Sequence, residues 1–238
     1  MSTKCMKKIS FWHRLFDLIA PRLCVVCGRR LSPTEKVLCA VCNLHLPRTG
    51  FQSSPTDNPM ARLFWGIIPV ERVAALFFYE AGSRTSNILY DLKYHDRPEI
   101  GREMGRLMAR EFMEAGFFEG IDLIVPLPLA RKRQRQRGYN QSMELARGIS
   151  QMTGLPICNE VVRRTHFEKS QTQMRHWERQ ENVANVFKVR DLSAVSGRHV
   201  LLVDDVVTTG ATMVACAREI LKAEGVSVSL LSLGFTKS

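Results

Sequence analysis

Two adjacent carboxylates, Asp204 and Asp205, stand between an apolar run and a loop rich in hydroxyl groups. Residues 200–203 are aliphatic, which is typical of a buried strand, and residues 213–221 are predicted to form a helix. The loop between them contains Thr208, Thr209, Gly210, Ala211 and Thr212. Backbone N–H groups and hydroxyls at the positive end of a helix suit a phosphate group. The two carboxylates lie one step away, where they suit sugar hydroxyls or a hydrated Mg²⁺ ion.

The elements that must position these groups alternate along the chain. We predict strands at residues 73–79, 123–125, 157–162, 200–203 and 226–234, and helices at residues 86–94, 99–115, 141–152 and 213–221. This alternation predicts an α/β fold with a mainly parallel sheet flanked by helices. Ligands of such sheets bind at the carboxyl ends of the strands, which is where we expect the acidic pair and the loop.

A basic run follows the predicted strand at 123–125 and a Pro-Leu-Pro-Leu segment at 126–129. It contains five lysine or arginine residues between Arg131 and Arg137. A basic run considered alone is most often a solvated surface. Its position after a strand end predicts instead that its charges face the same cleft as the acidic pair. Such charge suits the phosphate groups of a small ligand, and it also suits a nucleic-acid backbone.

Four of the seven cysteines form two Cys-x-x-Cys pairs, Cys24 with Cys27 and Cys39 with Cys42. Two such pairs in close succession are typical of a zinc ribbon or knuckle. Four thiolates leave no open coordination position, so the sequence predicts a structural Zn²⁺ ion. Disulfides are the disfavoured alternative, because we expect a cytoplasmic protein, in which thiols stay reduced.

The composition favours an anionic partner. The 238 residues carry a formal net charge of +11 and a pI of about 9.6, which suits a phosphate-rich substrate, a nucleic acid or both. We expect a cytoplasmic location, since no apolar run approaches the ~20 residues of a membrane span and the N-terminus lacks a signal-peptide core. We predict an N-terminal helix and zinc-binding module at residues 1–46, a linker at 47–60 and a main domain at 61–238.

Residues 200–212 resemble the signature of type I phosphoribosyltransferases, which is an aliphatic strand, two acidic residues and a Thr-Thr-Gly loop. The resemblance implies a type I phosphoribosyltransferase fold for residues 61–238. It also implies that Asp204 and Asp205 hold the ribose hydroxyls of phosphoribosyl pyrophosphate, and that the loop at 208–212 binds its 5′-phosphate. Purine-base members often carry a carboxylate where this chain has Thr208, so purine salvage is disfavoured and the acceptor stays open.

Further motifs narrow the resemblance to one family. The Pro-Leu-Pro-Leu segment, the Arg-Gly-Tyr-Asn-Gln sequence at 137–141 and the four cysteines are similar to those of the ComF-type phosphoribosyltransferase-like proteins. The similarity covers nearly the whole chain beyond its N-terminal segment. It also includes Arg164, Thr165, Ser170, Gln171, Thr172, Arg179, Asn182, Val183 and Phe187.

A long polar loop occupies residues 163–179. Loops longer than about 12 residues are usually functional or disordered. In phosphoribosyltransferases a mobile loop in this region closes over the active site, so the resemblance implies that Arg175 or Arg179 reaches the pyrophosphate. Alternatively, Trp177 stacks on a nucleobase, or the loop has no role. The candidate pyrophosphate ligands are Leu127, Arg137, Arg175 and Arg179.

Three functions stay open at this point. The first, which the sequence favours, is a phosphoribosyltransferase that binds phosphoribosyl pyrophosphate with Mg²⁺ and transfers phosphoribose to an unknown acceptor. The second is a competence factor that binds single-stranded DNA during DNA uptake without turnover, with a DNA-uptake helicase as a further partner. The third is a regulatory sensor whose partner protein reads the ligand-bound state.

Overall fold

The computed structural model describes residues 21–164 and 186–236. Within these ranges the strands are β1 (Val73–Tyr79), β2 (Leu123–Pro126), β3 (Val162–Arg164), β4 (Phe187–Val189), β5 (His199–Val207) and β6 (Ser227–Thr236). The α-helices are α1 (Ala40–Leu44), α2 (Ser86–Tyr94), α3 (Pro98–Met113), α4 (Arg131–Arg137), α5 (Gln141–Thr153) and α6 (Ala211–Ile220). Short 3₁₀ helices at Phe51–Ser53 and Ala61–Leu63 precede β1.

The main sheet consists of four parallel strands in the order β1-β6-β5-β2. Helix α5 packs on β2 and β5, and helix α3 packs on α5. Helix α6 contacts β5 and the antiparallel pair β3–β4. Residues 200–203 are fully buried, as expected for a strand in the middle of a covered parallel sheet. The predicted α/β fold, with a mainly parallel sheet flanked by helices, is confirmed.

Strand β5 is longer than the sequence predicts. It continues through the acidic pair to Val207, because the pairing with β6 persists at Asp204, which lies opposite Ser232. The two carboxylates therefore belong to the carboxyl-terminal part of the strand, whereas we expected them to follow its end. Their backbone is held by the sheet, which fixes their position more firmly than a loop would.

The predicted strand at residues 157–162 is wrong in its extent. Ile157 forms a single parallel bridge with Ile124, at the edge of the main sheet, and regular pairing starts at Val162 with β4. The basic run, for which we predicted no secondary structure, forms helix α4. Arginine, lysine and glutamine are good helix formers, so this local preference decides the conformation.

The segment predicted as a linker, residues 47–60, lies along the edge of β1. The N–H of Thr49 donates to the carbonyl of Leu76 at 3.1 Å, and the side chains of Phe51 and Met60 are buried. The segment is therefore packed against the main sheet. The three-part division of the chain stays a prediction, and the predicted N-terminal helix lies outside the described residues.

None of the helices in the described ranges has the length and apolar character that crossing a membrane requires.

Candidate ligand-binding site and zinc centre

The acidic pair lies at the carboxyl edge of the main sheet, and a different helix holds each carboxylate. The Oδ1 atom of Asp204 accepts hydrogen bonds from the hydroxyl of Ser142 at 3.0 Å and from the N–H of Asp205 at 2.8 Å. The Oδ2 atom of Asp205 lies 3.3 Å from Nζ of Lys93. Ser142 belongs to α5 and Lys93 to α2, so both helices must pack correctly for the pair to be oriented.

The environment of Asp204 disfavours its charged form. Burial, followed by the neighbouring charge of Asp205, raises the pKa of Asp204 to about 7. The N–H of Asp205, the hydroxyl of Ser142 and the ammonium of Lys93 act in the opposite direction. A carboxyl group with this pKa changes its charge near neutral pH, which is common for groups that contact ligands.

The loop after the acidic pair turns sharply into helix α6. Gly210 has a φ of +74° and is the N-cap of α6, and Thr208 and Thr209 are exposed before it. A Cβ atom at position 210 would lie 3.0 Å from the ring of Phe64, which is fully buried beneath the turn. Ala211 and Thr212 form the first helical turn, whose N–H groups have no partner within the helix. The turn therefore presents donors that suit a phosphate.

The motif at residues 137–141 connects three parts of the fold. The hydroxyl of Tyr139 donates to the carbonyl of Leu92 in α2. The side chain of Asn140 donates to the carbonyl of Leu127 at 3.0 Å and accepts from the N–H of Ser142 at 3.2 Å, which caps α5. These bonds place Ser142 against the acidic pair. Tyr139 and Asn140 of this motif thus help to position the site.

The four candidate pyrophosphate ligands differ in what the structure shows. The N–H of Leu127 donates to the carbonyl of Val203, and its own carbonyl accepts from Asn140, so its main chain offers a ligand no donor. Arg137 donates to Oε1 of Gln141 at 2.9 Å, and its guanidinium lies 5.5 Å from the ring centroid of Tyr94. The other two candidates, Arg175 and Arg179, lie outside the described residues.

A cavity of about 930 Å³ opens between the end of α2 and helix α4. Four basic residues line this cavity: Lys93, Arg133, Arg135 and Arg137. Asp96 and Tyr94 also lie in its wall. Since Lys93 also contacts Asp205, the basic cavity adjoins the acidic pair.

Arg164 adds a further positive charge near the acidic pair. Burial and the nearby Arg133 lower the pKa of Arg164, and the charge of Asp204 raises it. Arg164 therefore lies within electrostatic range of both groups. Sequence reasoning missed Lys93 and Ser142, because single charged or hydroxyl residues in helices give no signal until the fold brings them to the carboxylates.

The four-cysteine cluster fits a structural zinc ion. The Sγ atoms of Cys24, Cys27, Cys39 and Cys42 all lie within 4.8 Å of one another. The Sγ atoms of Cys27 and Cys39 are 3.8 Å apart, which matches the ~3.8 Å edge of a tetrahedron with Zn–S bonds of about 2.3 Å.

Backbone donors favour thiolates in this cluster. The N–H of Cys39 donates to Sγ of Cys24, and the N–H of Cys42 to Sγ of Cys39, both at 3.4 Å. The N–H of Arg29 is the main cause that lowers the pKa of Cys27 to about 7. Burial, followed by the neighbouring cysteines, raises the pKa of Cys42. Thiolate is the form that binds zinc, so the backbone donors to Cys24, Cys27 and Cys39 agree with the donor set at three of its four positions.

Residues 92–233 match the phosphoribosyl transferase domain family, and the chain therefore belongs to that family. Among known proteins, it is 30% identical over 214 residues to the DNA utilization protein YhgH of Escherichia coli K12, covering 89% of each chain. It is 31% identical over 132 residues to Competence protein F of Haemophilus influenzae, covering 54% of this chain and 58% of that protein.

Competence protein ComFC of Bacillus subtilis is 34% identical over 112 residues, which cover 47% of this chain and 43% of that protein. The resemblance to ComF-type proteins with an N-terminal cysteine module is thus confirmed.

Proposed function

We propose that the carboxyl edge of the sheet binds phosphoribosyl pyrophosphate together with Mg²⁺. Asp204 and Asp205 accept hydrogen bonds from the ribose hydroxyls, and the loop at 208–212 receives the 5′-phosphate. The basic cavity takes the pyrophosphate. The observation that carries the proposal is the acidic pair, fixed by Ser142 and Lys93 beside a glycine turn that opens a helix.

The chemistry that follows from this arrangement is transfer of the phosphoribosyl group. The bond between the anomeric carbon and the pyrophosphate oxygen breaks, pyrophosphate leaves with the electron pair, and a nucleophilic acceptor forms the new bond. Mg²⁺ would supply additional positive charge for the leaving group. The acidic pair would stabilise the oxocarbenium-like charge on the sugar. Thr208 stands where purine-base phosphoribosyltransferases often carry a carboxylate, so purine bases are disfavoured as acceptors.

Titration calorimetry with phosphoribosyl pyrophosphate and Mg²⁺ tests the binding step. The wild-type protein should bind, and the double variant Asp204→Asn with Asp205→Asn should lose about tenfold or more in affinity, because two charged acceptors are removed. The matched control is Asp191→Asn, an exposed carboxylate that accepts from Ser193. Equal affinity in all three proteins would contradict the proposal.

A second experiment separates an enzyme from a binding protein or a ligand sensor. Pyrophosphate release should be measured with a panel of nucleobases and amines as acceptors. Release that depends on Asp204 and Asp205 supports transfer. Ligand binding without release from any acceptor supports the sensor, in which a partner protein reads the bound state.

One surface favours single-stranded nucleic acid as a second candidate ligand. Helix α4 exposes Arg131, Lys132, Arg133 and Arg135 to solvent. Beside it Tyr90 and Tyr94 are 53% and 63% exposed, with ring centroids 5.1 Å apart. Basic side chains that track phosphates next to aromatic rings that stack on bases are the usual elements of single-strand binding. The names of the relatives, DNA utilization and competence proteins, point in the same direction.

Binding of a single-stranded oligonucleotide should weaken steeply as salt rises, since counterions are released from neutralised phosphates. Arg131→Gln with Arg135→Gln should reduce the slope of log affinity against log salt by about one per lost phosphate contact. The control pair is Arg110→Gln with Arg218→Gln, which removes two exposed arginines from other helices. An equal slope in both double variants would contradict this candidate.

A DNA-uptake helicase as a partner belongs to this second candidate. The names of the relatives, competence and DNA utilization proteins, support a role with DNA, whereas the helicase and the cytoplasmic location stay predictions from the sequence. A pull-down with purified helicase, with and without single-stranded DNA, would test the partner.

A further inference from the structure

Lys93 contacts both halves of the candidate site. Its Nζ atom lies 3.3 Å from Oδ2 of Asp205, in an ion pair whose side chains are only 20% and 12% exposed. The same side chain lines the basic cavity with Arg133 and Arg135. Lys93 therefore lies between the position expected for the ribose and the position expected for the pyrophosphate.

The backbone at Lys93 is fixed, so the side chain is the part that can change partners. The preceding residue, Leu92, is fully buried, and its carbonyl accepts from the hydroxyl of Tyr139. The nearby carboxylate of Asp91 is already engaged by His95 and Arg97. Among the ion pairs of the described residues, Lys93 is paired with Asp205.

Binding of a sugar ligand would change the ion pair between Lys93 and Asp205. Sugar hydroxyls that donate to Asp205 replace the ammonium there, and the ammonium then needs another anion. A ligand with a phosphate group on the anomeric carbon provides that anion at the entrance of the cavity. A sugar phosphate with a bare anomeric hydroxyl does not, so its binding displaces Lys93 without any compensating contact.

We propose that Lys93 is a specificity-determining residue, which selects ligands that carry an anionic group on the anomeric carbon. This inference rests on the proposed binding of phosphoribosyl pyrophosphate. In this structure Lys93 pairs with Asp205, and in the proposed complex its ammonium contacts the pyrophosphate.

Calorimetry with two probes, each with Mg²⁺, tests the assignment. The probes are phosphoribosyl pyrophosphate and ribose 5-phosphate, which differ by the anionic group. Lys93→Met should weaken phosphoribosyl pyrophosphate binding about tenfold or more, because one charged contact is lost. The same change should leave ribose 5-phosphate affinity equal or higher, since the ammonium no longer competes for Asp205. Lys93→Arg should retain most of the preference for phosphoribosyl pyrophosphate.

Lys222→Met is the matched control, because it removes the same charge from an exposed lysine that pairs with Glu219. It should leave both affinities unchanged. If Lys93→Met does not fold, as judged by circular dichroism, Lys93→Gln takes its place.

The outcomes separate this inference from the proposed function. Equal loss of both probes in the Lys93 variant, or no loss of either, would overturn the role of Lys93 alone. Failure of the wild-type protein to bind either probe would overturn the proposed function, and this inference with it.

Discussion

Ser142 and Lys93 hold the two carboxylates of the acidic pair from different helices. The sequence identified Asp204 and Asp205, because adjacent acids after an aliphatic run are a local pattern. It missed their partners, because those contacts join positions 62 and 112 residues apart (204 − 142 and 205 − 93). Local patterns therefore identified the charged groups, and the fold was needed to find what orients them.

Ser142→Ala tests the orientation of Asp204. The change removes a donor to the carboxylate, so the pKa of Asp204 should rise further above its ordinary value. Affinity for phosphoribosyl pyrophosphate at neutral pH should fall about two- to tenfold, and the pH midpoint of binding should move upward. Ser150→Ala is the control, since that hydroxyl lies on the same helix and donates to Leu155. A loss of equal size in the control would count against the account.

Asp204 should also make stability depend on pH. Its pKa is raised from 3.8 to about 7, so between these values the folded protein keeps a proton that the unfolded chain has lost. The contribution of Asp204 to the free energy of unfolding therefore falls as the pH rises through this window, and stays low above it. Asp204→Asn removes the effect, so the variant should gain stability over wild type at pH 8, on the order of a few kcal/mol, and little at pH 4.

Urea unfolding at both pH values measures this difference. Asp191→Asn is the control, and its effect on the free energy of unfolding should have the opposite sign. Hydrogen bonds from Ser193 lower the pKa of Asp191, whereas the pKa of Asp204 is raised. That variant should lose a little stability at pH 8 and none at low pH. A gain for Asp204→Asn that is the same at both pH values would show that the carboxyl group is not perturbed as described.

At the scale of elements, the close approach of α3 and α5 decides where Ser142 lies. A Cβ atom on Gly105 would lie 2.2 Å from the carbonyl oxygen of Leu145, and one on Gly148 would lie 2.1 Å from that of Arg102. Glycine at both positions therefore lets the two helix backbones touch. Because α5 carries Ser142, any outward shift of this helix moves the donor away from the acidic pair.

Gly148→Ala should separate the two helices and lower the free energy of unfolding by about 1–3 kcal/mol, despite the better helix propensity of alanine. It should also reduce affinity for phosphoribosyl pyrophosphate. Gly120→Ala is the control for backbone strain without a steric clash. Gly120 has a φ of +70°, and a Cβ atom there would have no heavy atom within 4 Å apart from those of its chain neighbours. That variant should lose about 1–2 kcal/mol through backbone strain and keep its affinity. Unaltered affinity in Gly148→Ala would contradict the link between helix packing and the site.

The sequence predicted some elements well and others poorly, for identifiable reasons. Strand β1 and helix α2 coincide with the predicted ranges 73–79 and 86–94. Their hydrophobic residues form a local pattern, and polar residues flank both ranges in the sequence. The extension of β5 to Val207 depends on pairing with β6, and the start of β3 depends on pairing with β4. Long-range pairing of this kind leaves no trace in a local pattern.

At the scale of the whole molecule, the four-cysteine cluster is joined to the main sheet. Cys24 and Cys39 belong to the continuous buried core, and Arg48 links the carbonyl of Asn43 to the carboxylate of Glu111 in α3. From composition we predicted a boundary between a module at residues 1–46 and a linker at residues 47–60. The structure shows that residues on both sides of that boundary share one core, which is a property of packing.

Cys24→Ser should release zinc and increase proteolysis within residues 21–46, because four thiolates supply the folding free energy of a module this small. The main sheet should stay folded. Cys158→Ser is the control, since Cys158 lies outside the cluster. Metal analysis and limited proteolysis measure both effects, and a full zinc content in Cys24→Ser would refute the assignment.

A crystal structure with phosphoribosyl pyrophosphate and Mg²⁺ tests the central claim most directly. We expect the 5′-phosphate to accept hydrogen bonds from the backbone N–H groups at positions 210–212, and the ribose hydroxyls to donate to Asp204 and Asp205. A complex in which the compound binds elsewhere, with those amides and both carboxylates making no contact with it, would contradict the account.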